Sequence, residues 1–306
     1  MTINDMKTMS TSESADLKKR LEIERRRASL WNLAWSRFKK QKLSIFGAVI
    51  ALCVIILAIF APILSPYDPK EMHWGEEMVP PCRRFLLGTD ELGRDVLSQI
   101  IWGARTSLVV GLGAVGILVL IGVIIGSISG YFGGWVDELL MRITDIMLTI
   151  PTLFLIILMA SIFKSRGIGI IILIIGVTGW PQLARITRSM FLSIKELPYV
   201  DAARAMGASN LRIIYRHIFP NAIAPIIVSA TFRLASAVLT EAALSFLGLS
   251  DPTIVSWGKM LSVGHTTMRY AWWIATFPGI AIFLTVIGFN LLGDGLRDAL
   301  EAPSGR

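Results

Sequence analysis

Glu196-Leu197-Pro198-Tyr199-Val200-Asp201-Ala202-Ala203-Arg204-Ala205-Met206-Gly207 is a charged interruption in a chain that is otherwise dominated by long apolar runs. Pro198 suits a first helical turn, where a missing N–H leaves nothing unpaired. Asp201 then falls near the positive end of that helix and can pair with Arg204 three residues on. Gly207 supplies the left-handed residue that closes a helix. Ser209 or Asn210 can cap a second helix running to about Ile218, and Pro220 marks the next boundary. Ala202, Ala203 and Gly207 leave one side of the first helix bare, so that another backbone can approach closely. A solvated loop has no need of such a face.

The residues around this stretch decide what kind of protein carries it. The chain has 306 residues, 54% of them hydrophobic and only 17% charged, with a mean hydropathy of +0.63. Those values exclude an ordinary soluble domain. The net charge of +8 would point to nucleic acid in a soluble protein. Here the basic residues flank apolar runs, so membrane topology accounts for them and no nucleic acid is expected. Ten lysines and arginines lie between positions 17 and 42. Within that segment Leu30, Trp31, Ala34, Trp35 and Phe38 share one helical face, which reads as an interfacial amphipathic helix on the lipid surface. No cleavable signal segment is expected at this polar N-terminus.

Six apolar runs follow. The first, 43–64, is long enough for a hydrocarbon core of about 30 Å, and the basic segment before it should hold its N-terminus in the cytoplasm. A polar loop, 65–104, then lies outside. The second run spans 106–135, where Gly122, Gly126, Gly130 and Gly134 form a small-xxx-small face that permits close packing of another helix, a dimer interface being one use of it. Asp137, Glu138, Arg142 and Asp145 mark a short cytoplasmic turn. The third run, 146–163, contains Pro151 as a point of bending. The fourth is 167–184; Lys164 and Arg166 before it fall outside, against the charge bias. The fifth lies within 219–249, an outer loop covers 251–269, and the sixth spans 270–293 with Trp272 and Trp273 as an interfacial belt. Both termini and the organising stretch are then cytoplasmic.

Two ionisable residues fall within the fifth run. An arginine near mid-membrane costs about 2.5–3.5 kcal/mol on insertion scales, and intramembrane charges face a cavity or a partner. Arg233 and Glu241 are therefore candidates either for the lining of a solute path or for a structural pair with a partner subunit. Asp90, Glu91 and Asp95 in the outer loop are a carboxylate cluster, and their interleaved glycines and Arg94 fit a turn with internal charge pairing. Cys53 and Cys82 have no metal-ligand spacing and are not expected to form a disulfide. No G-x-x-x-x-G-K-[ST] loop occurs, and neither does a zinc-protease or nucleophile-elbow pattern. Neither a cofactor nor a metal is expected, and no enzyme activity of its own.

Asp201-Ala202-Ala203, three residues, Gly207, and Pro220 thirteen positions later resemble the EAA loop of ABC importer permeases. That family has Glu at the position of Asp201 and Ile-x-Leu-Pro at that of His217-Ile218-Phe219-Pro220. Leu87-Gly88-Thr89-Asp90-Glu91-Leu92-Gly93-Arg94-Asp95-Val96-Leu97-Ser98 and Asn290-Leu291-Leu292-Gly293-Asp294-Gly295-Leu296-Arg297-Asp298 resemble signatures of the oligopeptide, dipeptide and nickel branch. The resemblance implies an all-α polytopic membrane protein with six transmembrane helices and the type I ABC importer permease fold. Its parts would be a cytoplasmic tail (1–42), a first span (43–64), an extracytoplasmic loop (65–104), a transmembrane domain of five helices (105–294) with a coupling loop (185–218), and a cytoplasmic tail (295–306). It further implies an inner-membrane location, a second homologous permease, two ABC ATPase subunits docked on Asp201, Ala202, Ala203, Arg204, Gly207 and Pro220, and an extracytoplasmic binding protein. Peptides, or a small solute such as nickel, would be the cargo. The reading from another class is a self-sufficient channel or ion-coupled carrier, which needs relay residues within its spans. A membrane-bound enzyme lacks a catalytic constellation.

Overall fold

The structure is a computed structural model that describes residues 35–163 and 167–300. Leu30, Trp31 and Ala34 of the amphipathic face, the charges Lys164 and Arg166, and both chain ends lie outside the described residues. Trp35 and Phe38 lie in a helical segment, 35–40, with their rings stacked at 5.9 Å.

Four helices are long and apolar enough to cross a membrane, and six spans result if each of two bent pairs counts as one. Helix α1 is Lys42–Ile59 and the short α2 is Ala61–Leu64. Helix α3 is Val96–Phe132, with 37 residues, about 55 Å at 1.5 Å per residue. It begins well before the apolar run because Asp95 caps it, accepting from the Ser98 amide at 2.8 Å and the Ser98 hydroxyl at 2.6 Å.

The expected cytoplasmic turn at Asp137, Glu138, Arg142 and Asp145 is instead helical: α4 runs Gly134–Thr149 and meets α5, Thr152–Ile162, at 87°. The corner is at Ile150-Pro151, where Ile150 is extended (φ −85°, ψ 124°), as a residue before proline prefers. The fourth span is likewise broken, into α6 (Ile168–Gly179) and α7 (Pro181–Lys195), bent by 45° with Pro181 in the first turn of α7. Helices α8 (Pro198–Ala205) and α9 (Asn210–Ile213) follow. Helix α9 does not end near Ile218. It continues through a π turn, Ile214–Ile218, into α10, Phe219–Phe246. The expected outer loop at 251–269 holds α11 (Trp257–Thr267), and α12 is Trp273–Leu300.

The glycine stripe of α3 serves packing within the chain. A Cβ on Gly122, Gly126 or Gly130 would meet α7: Leu183 Cβ at 3.0 Å, the Ala184 carbonyl at 2.4 Å and Phe191 Cβ at 2.6 Å, respectively. Gly134 has nothing within 4 Å and does not belong to the stripe. Helix α12 crosses α1 in the same manner, with Gly47 against Leu291 and Gly288 against Ile50.

The segment between α2 and α3 is a folded cap. Asp90 accepts the Leu92 and Arg94 amides at 2.9 Å, Arg94 Nε at 2.7 Å and Gln99 Nε2 at 2.8 Å, so the charge pairing read in the sequence is present. Tyr67, His73 and Phe85 form an aromatic cluster beside it. Trp273 is buried under this cap and donates its indole N–H to the Thr89 carbonyl at 3.0 Å, while Trp272 is exposed. Only one tryptophan of the expected belt is thus free to face an interface.

Candidate functional site

The element around which the sequence was read is a short, well-terminated helix. Leu197 is extended (ψ 140°) and Pro198 opens α8. At the other end Gly207 has φ 77°. The Ala208 amide reaches the Ala203 carbonyl at 3.1 Å and the Gly207 amide the Arg204 carbonyl at 3.0 Å, the paired bonds of a Schellman motif. Arg204 Nη1 and Asp201 Oδ1 pair at 2.9 Å with both side chains more than half exposed, a contact worth a few tenths of a kcal/mol.

Ala203 does not lie on an open face. It is 2% exposed, on the side of α8 where Val200 joins Phe191, Ile194, Ile213 and Ile218 in one apolar cluster. The small side chain lets α8 lie close to its own chain, so its size is already accounted for without a partner. The face that is free carries Tyr199, Ala202, Met206 and Gly207, extended by Leu211 and Tyr215 on the neighbouring turn. Met206 is 81% exposed, Leu211 67% and Tyr215 69%. Sequence reading missed Met206, Leu211 and Tyr215, although their spacing of four to five residues past the bare face was available. Tyr199 is held by Asn221, whose Nδ2 donates to its hydroxyl at 3.1 Å and to the His217 carbonyl at 2.7 Å. Pro220 lies in the first turn of α10, immediately after the π turn. It brings the change from π to α geometry there and does not end the helix.

Two ion pairs lace α7 to α4. Arg188 grips Asp137 through Nε and Nη2, both at 2.5 Å, and Arg185 reaches Asp145 at 2.5 Å. Helix α7 is therefore bound to α3 by close packing and to α4 by charge, and its last turn leads directly into α8.

Arg233 and Glu241 lie in different surroundings. Glu241 is 1% exposed. It accepts from Ser107 at 2.8 Å and Ser245 at 2.7 Å, and Ser256 also bonds to it. Here it ties α3, α10 and the start of α11 together within the chain. Next to it Gly258 packs on the Ala242 carbonyl, and Trp257 donates to the Ile100 carbonyl at 2.9 Å.

Arg233 is partly exposed and donates to Gln182 of α7. Along α10, Ser229, Arg233, Ser236 and Thr240 are spaced as one helical face and all are at least partly exposed. Along α7, Gln182, Arg185, Ser189 and Ser193 do the same and are all exposed. The hydrogen bond from Arg233 to Gln182 joins the two rows into one polar wall. By contrast, α1 exposes Leu43, Phe46, Val49, Leu52, Ile56 and Ile59, and α12 exposes Ile280, Phe283 and Leu284. Hydrocarbon suits those helices and does not suit the wall.

Comparison with known proteins shows the family to which the chain belongs. The family model for the binding-protein-dependent transport system inner membrane component matches residues 122–303, and that for the N-terminal TM domain of oligopeptide transport permease C matches residues 29–81. The chain is 42% identical over 281 residues to the oligopeptide transport system permease protein OppC of Bacillus subtilis, covering 92% of each. It is 40% identical to the di/tripeptide transport system permease protein DppC of Pseudomonas aeruginosa, covering 87% of this chain and 90% of the other. It is also 38% identical to the glutathione transport system permease protein GsiD of Escherichia coli, covering 89% and 90%. Among solved structures, an inward-facing form of the MetNI methionine ABC transporter superposes with a TM-score of 0.54 at 19% identity, over 66% of this chain and 96% of that one, which shows the shared fold. With a family model spanning more than half of its length and relatives matched along nearly all of it, the chain belongs to the inner-membrane components of binding-protein-dependent transport systems, as a permease subunit of the ABC importer type.

Proposed function

We propose that this permease forms one half of the membrane path of a peptide importer, with a second, similar permease as the other half. Two ATPase subunits engage the cytoplasmic face and a binding protein delivers cargo outside. Both termini and 185–218 lie in the cytoplasm, while 65–104 and 251–269 lie outside. The relatives named for oligopeptide, di/tripeptide and glutathione transport support the cargo class.

The observation that carries the reading is the exposed apolar face on and beside α8, on a polar segment between two spans. Tyr199, Ala202, Met206, Leu211 and Tyr215 make a surface that water does not favour and that a cleft on an ATPase would cover. Asp201 and Arg204 rim it, Gly207 closes the helix, and Pro220 with the π turn sets the angle at which α10 leaves. When ATP draws the two ATPases together, each pushes on α8. Helix α7 takes up that displacement, because only Glu196 and Leu197 separate the two helices. Through the glycine stripe α7 moves α3, and the polar wall is exposed alternately to the two sides.

Co-purification of the ATPase subunits with the full complex tests the docking surface. Met206→Glu and Tyr215→Glu should each release the ATPases, whereas Arg204→Gln should retain them. Retention of the ATPases and of ATP-driven uptake of labelled trialanine by both charged variants overturns the reading. Thiol labelling of single cysteines at 76, 201 and 254 in whole cells reads the orientation: access from outside at 201 is incompatible with it.

A further inference from the structure

The polar wall carries a charge that no carboxylate among the described residues neutralises. Arg185 is paired with Asp145 and Arg188 with Asp137. Arg233 has no carboxylate partner among the described residues, and its hydrogen bond is to a neutral amide, Gln182. The nearest acid along its own helix, Glu241, is turned away and occupied by serine hydroxyls. Burying a guanidinium in a membrane span without an anion is costly, so a cation kept in this state serves something that arrives from elsewhere. Its neighbours are small. Ser229, Ser236 and Thr240 flank it along α10, and the hydroxyls of Ser236 and Thr240 fold back onto their own helix at 3.2 and 2.8 Å. Neither hydroxyl is therefore spent on the guanidinium. A guanidinium held by one hydrogen bond keeps its other N–H donors for a ligand, and a planar fork of this kind matches a carboxylate.

We propose that Arg233 is a station for the carboxylate of the passing solute. The group is the carboxylate of an acidic side chain on the peptide, held in passing between delivery and release. This rests on the reading that the wall lines the path of a peptide importer. The charge makes the wall selective: it favours anionic groups and disfavours cargo that is net positive. Gln182 orients the guanidinium, and its removal weakens the preference without abolishing it. A weak site is what transport requires, since a tight one would hold the cargo and stop turnover.

The experiment uses the complete complex with its binding protein in proteoliposomes. Initial ATP-driven uptake of trialanine, Ala-Glu-Ala and Ala-Lys-Ala is normalised for each peptide to the unaltered complex, which removes the binding protein's own preference. Arg233→Gln should lower uptake of Ala-Glu-Ala by about tenfold more than that of Ala-Lys-Ala, which corresponds to about 1.4 kcal/mol, with trialanine between. Arg233→Lys should restore the order of the three. An equal loss for all three peptides in Arg233→Gln, not restored by lysine, overturns the proposal and assigns Arg233 to the subunit interface. Should Arg233→Gln fail to assemble, Arg233→Lys decides: assembly with the three peptides in their original order supports the station, and assembly with loss of all three refutes it. If the unaltered complex takes up none of the peptides, the peptide reading falls and takes this proposal with it. If it takes them up and only their order is insensitive to Arg233, the peptide reading stands and the station is refuted.

Discussion

Adding a single methyl group at Gly126 should separate two helices. An alanine Cβ there would lie 2.4 Å from the Ala184 carbonyl oxygen, 2.6 Å from Thr187 Cβ and 3.0 Å from the Arg188 amide. Ordinary contact begins near 3.4 Å, so α7 must withdraw by about 1 Å, and no flexible side-chain tip is present to yield instead. Overpacking of this kind costs about 1–3 kcal/mol, partly offset by the gain of up to about 1 kcal/mol that alanine brings to a helix interior. The net expectation is a destabilisation of about 1–2 kcal/mol. Gly116 on the same helix is the control, because its added Cβ meets nothing within 4 Å; Gly116→Ala should be neutral or slightly stabilising. Thermal unfolding of the two variants in one detergent, followed by the retention of folded protein on gel filtration, reads the difference directly. In the reconstituted complex Gly126→Ala should in addition hydrolyse more ATP per solute imported, since α7 no longer carries α3 with it. If Gly126→Ala is as stable as Gly116→Ala, the close approach of α3 and α7 is wrong, and with it the route by which α8 is said to move the wall.

Gly207→Val should impair ATPase retention through backbone strain alone, because φ is 77° and no atom stands within 4 Å of the added Cβ. The cost is about 1–2 kcal/mol, and Gly207→Asn should cost less; equal behaviour of the two would refute the cap. Asp90→Asn removes a carboxylate that is 3% exposed from an Arg94 that is 15% exposed, and should cost about 3 kcal/mol. Faster proteolysis of the segment between α2 and α3 is the readout, and unchanged proteolysis refutes the pairing. Ser107→Ala and Glu241→Ala should be non-additive by about 1 kcal/mol in unfolding, since both remove the Ser107–Glu241 contact between α3 and α10; strict additivity refutes it.

The spans could be read from hydropathy, and α8 with its cap from Pro198, Asp201 and Gly207, because each of those signals is local. The direction in which Ala203 points could not be read, since a bare residue fits an inner contact as well as an outer one. Only the apolar cluster of Phe191, Ile194, Val200, Ile213 and Ile218 decides it. The stripe of Gly122, Gly126 and Gly130 was visible, but its partner, α7, lies more than fifty positions on, and spacing carries no information about partners. Helix α11 was missed because its residues mix glycine, serine and lysine with tryptophan; the contacts of Trp257 and Gly258 with α3 and α10, and not its propensity, fix it. Arg233 and Glu241 were indistinguishable as charges in one apolar run. The serines around Glu241, one on α3 and one before α11, separate them, and neither is near it in sequence.

The π turn at Ile214–Ile218 has a consequence for angle as well as for length. An α-helix advances about 100° per residue, and a π turn absorbs one additional residue without carrying that rotation onward. The chain is helical from Asn210 to Phe246, so the face bearing Leu211 and Tyr215 and the face bearing Arg233 keep a fixed azimuth that the extra residue does not disturb. Deleting one residue within 214–218 should therefore be tolerated as a return to α geometry, opposed only by the ring of Pro220. Deleting one residue further along, between Ile226 and Arg233, has no such reserve. It would turn Arg233 by about 100° relative to the face bearing Leu211 and Tyr215 and leave the two ends of one rigid rod out of phase.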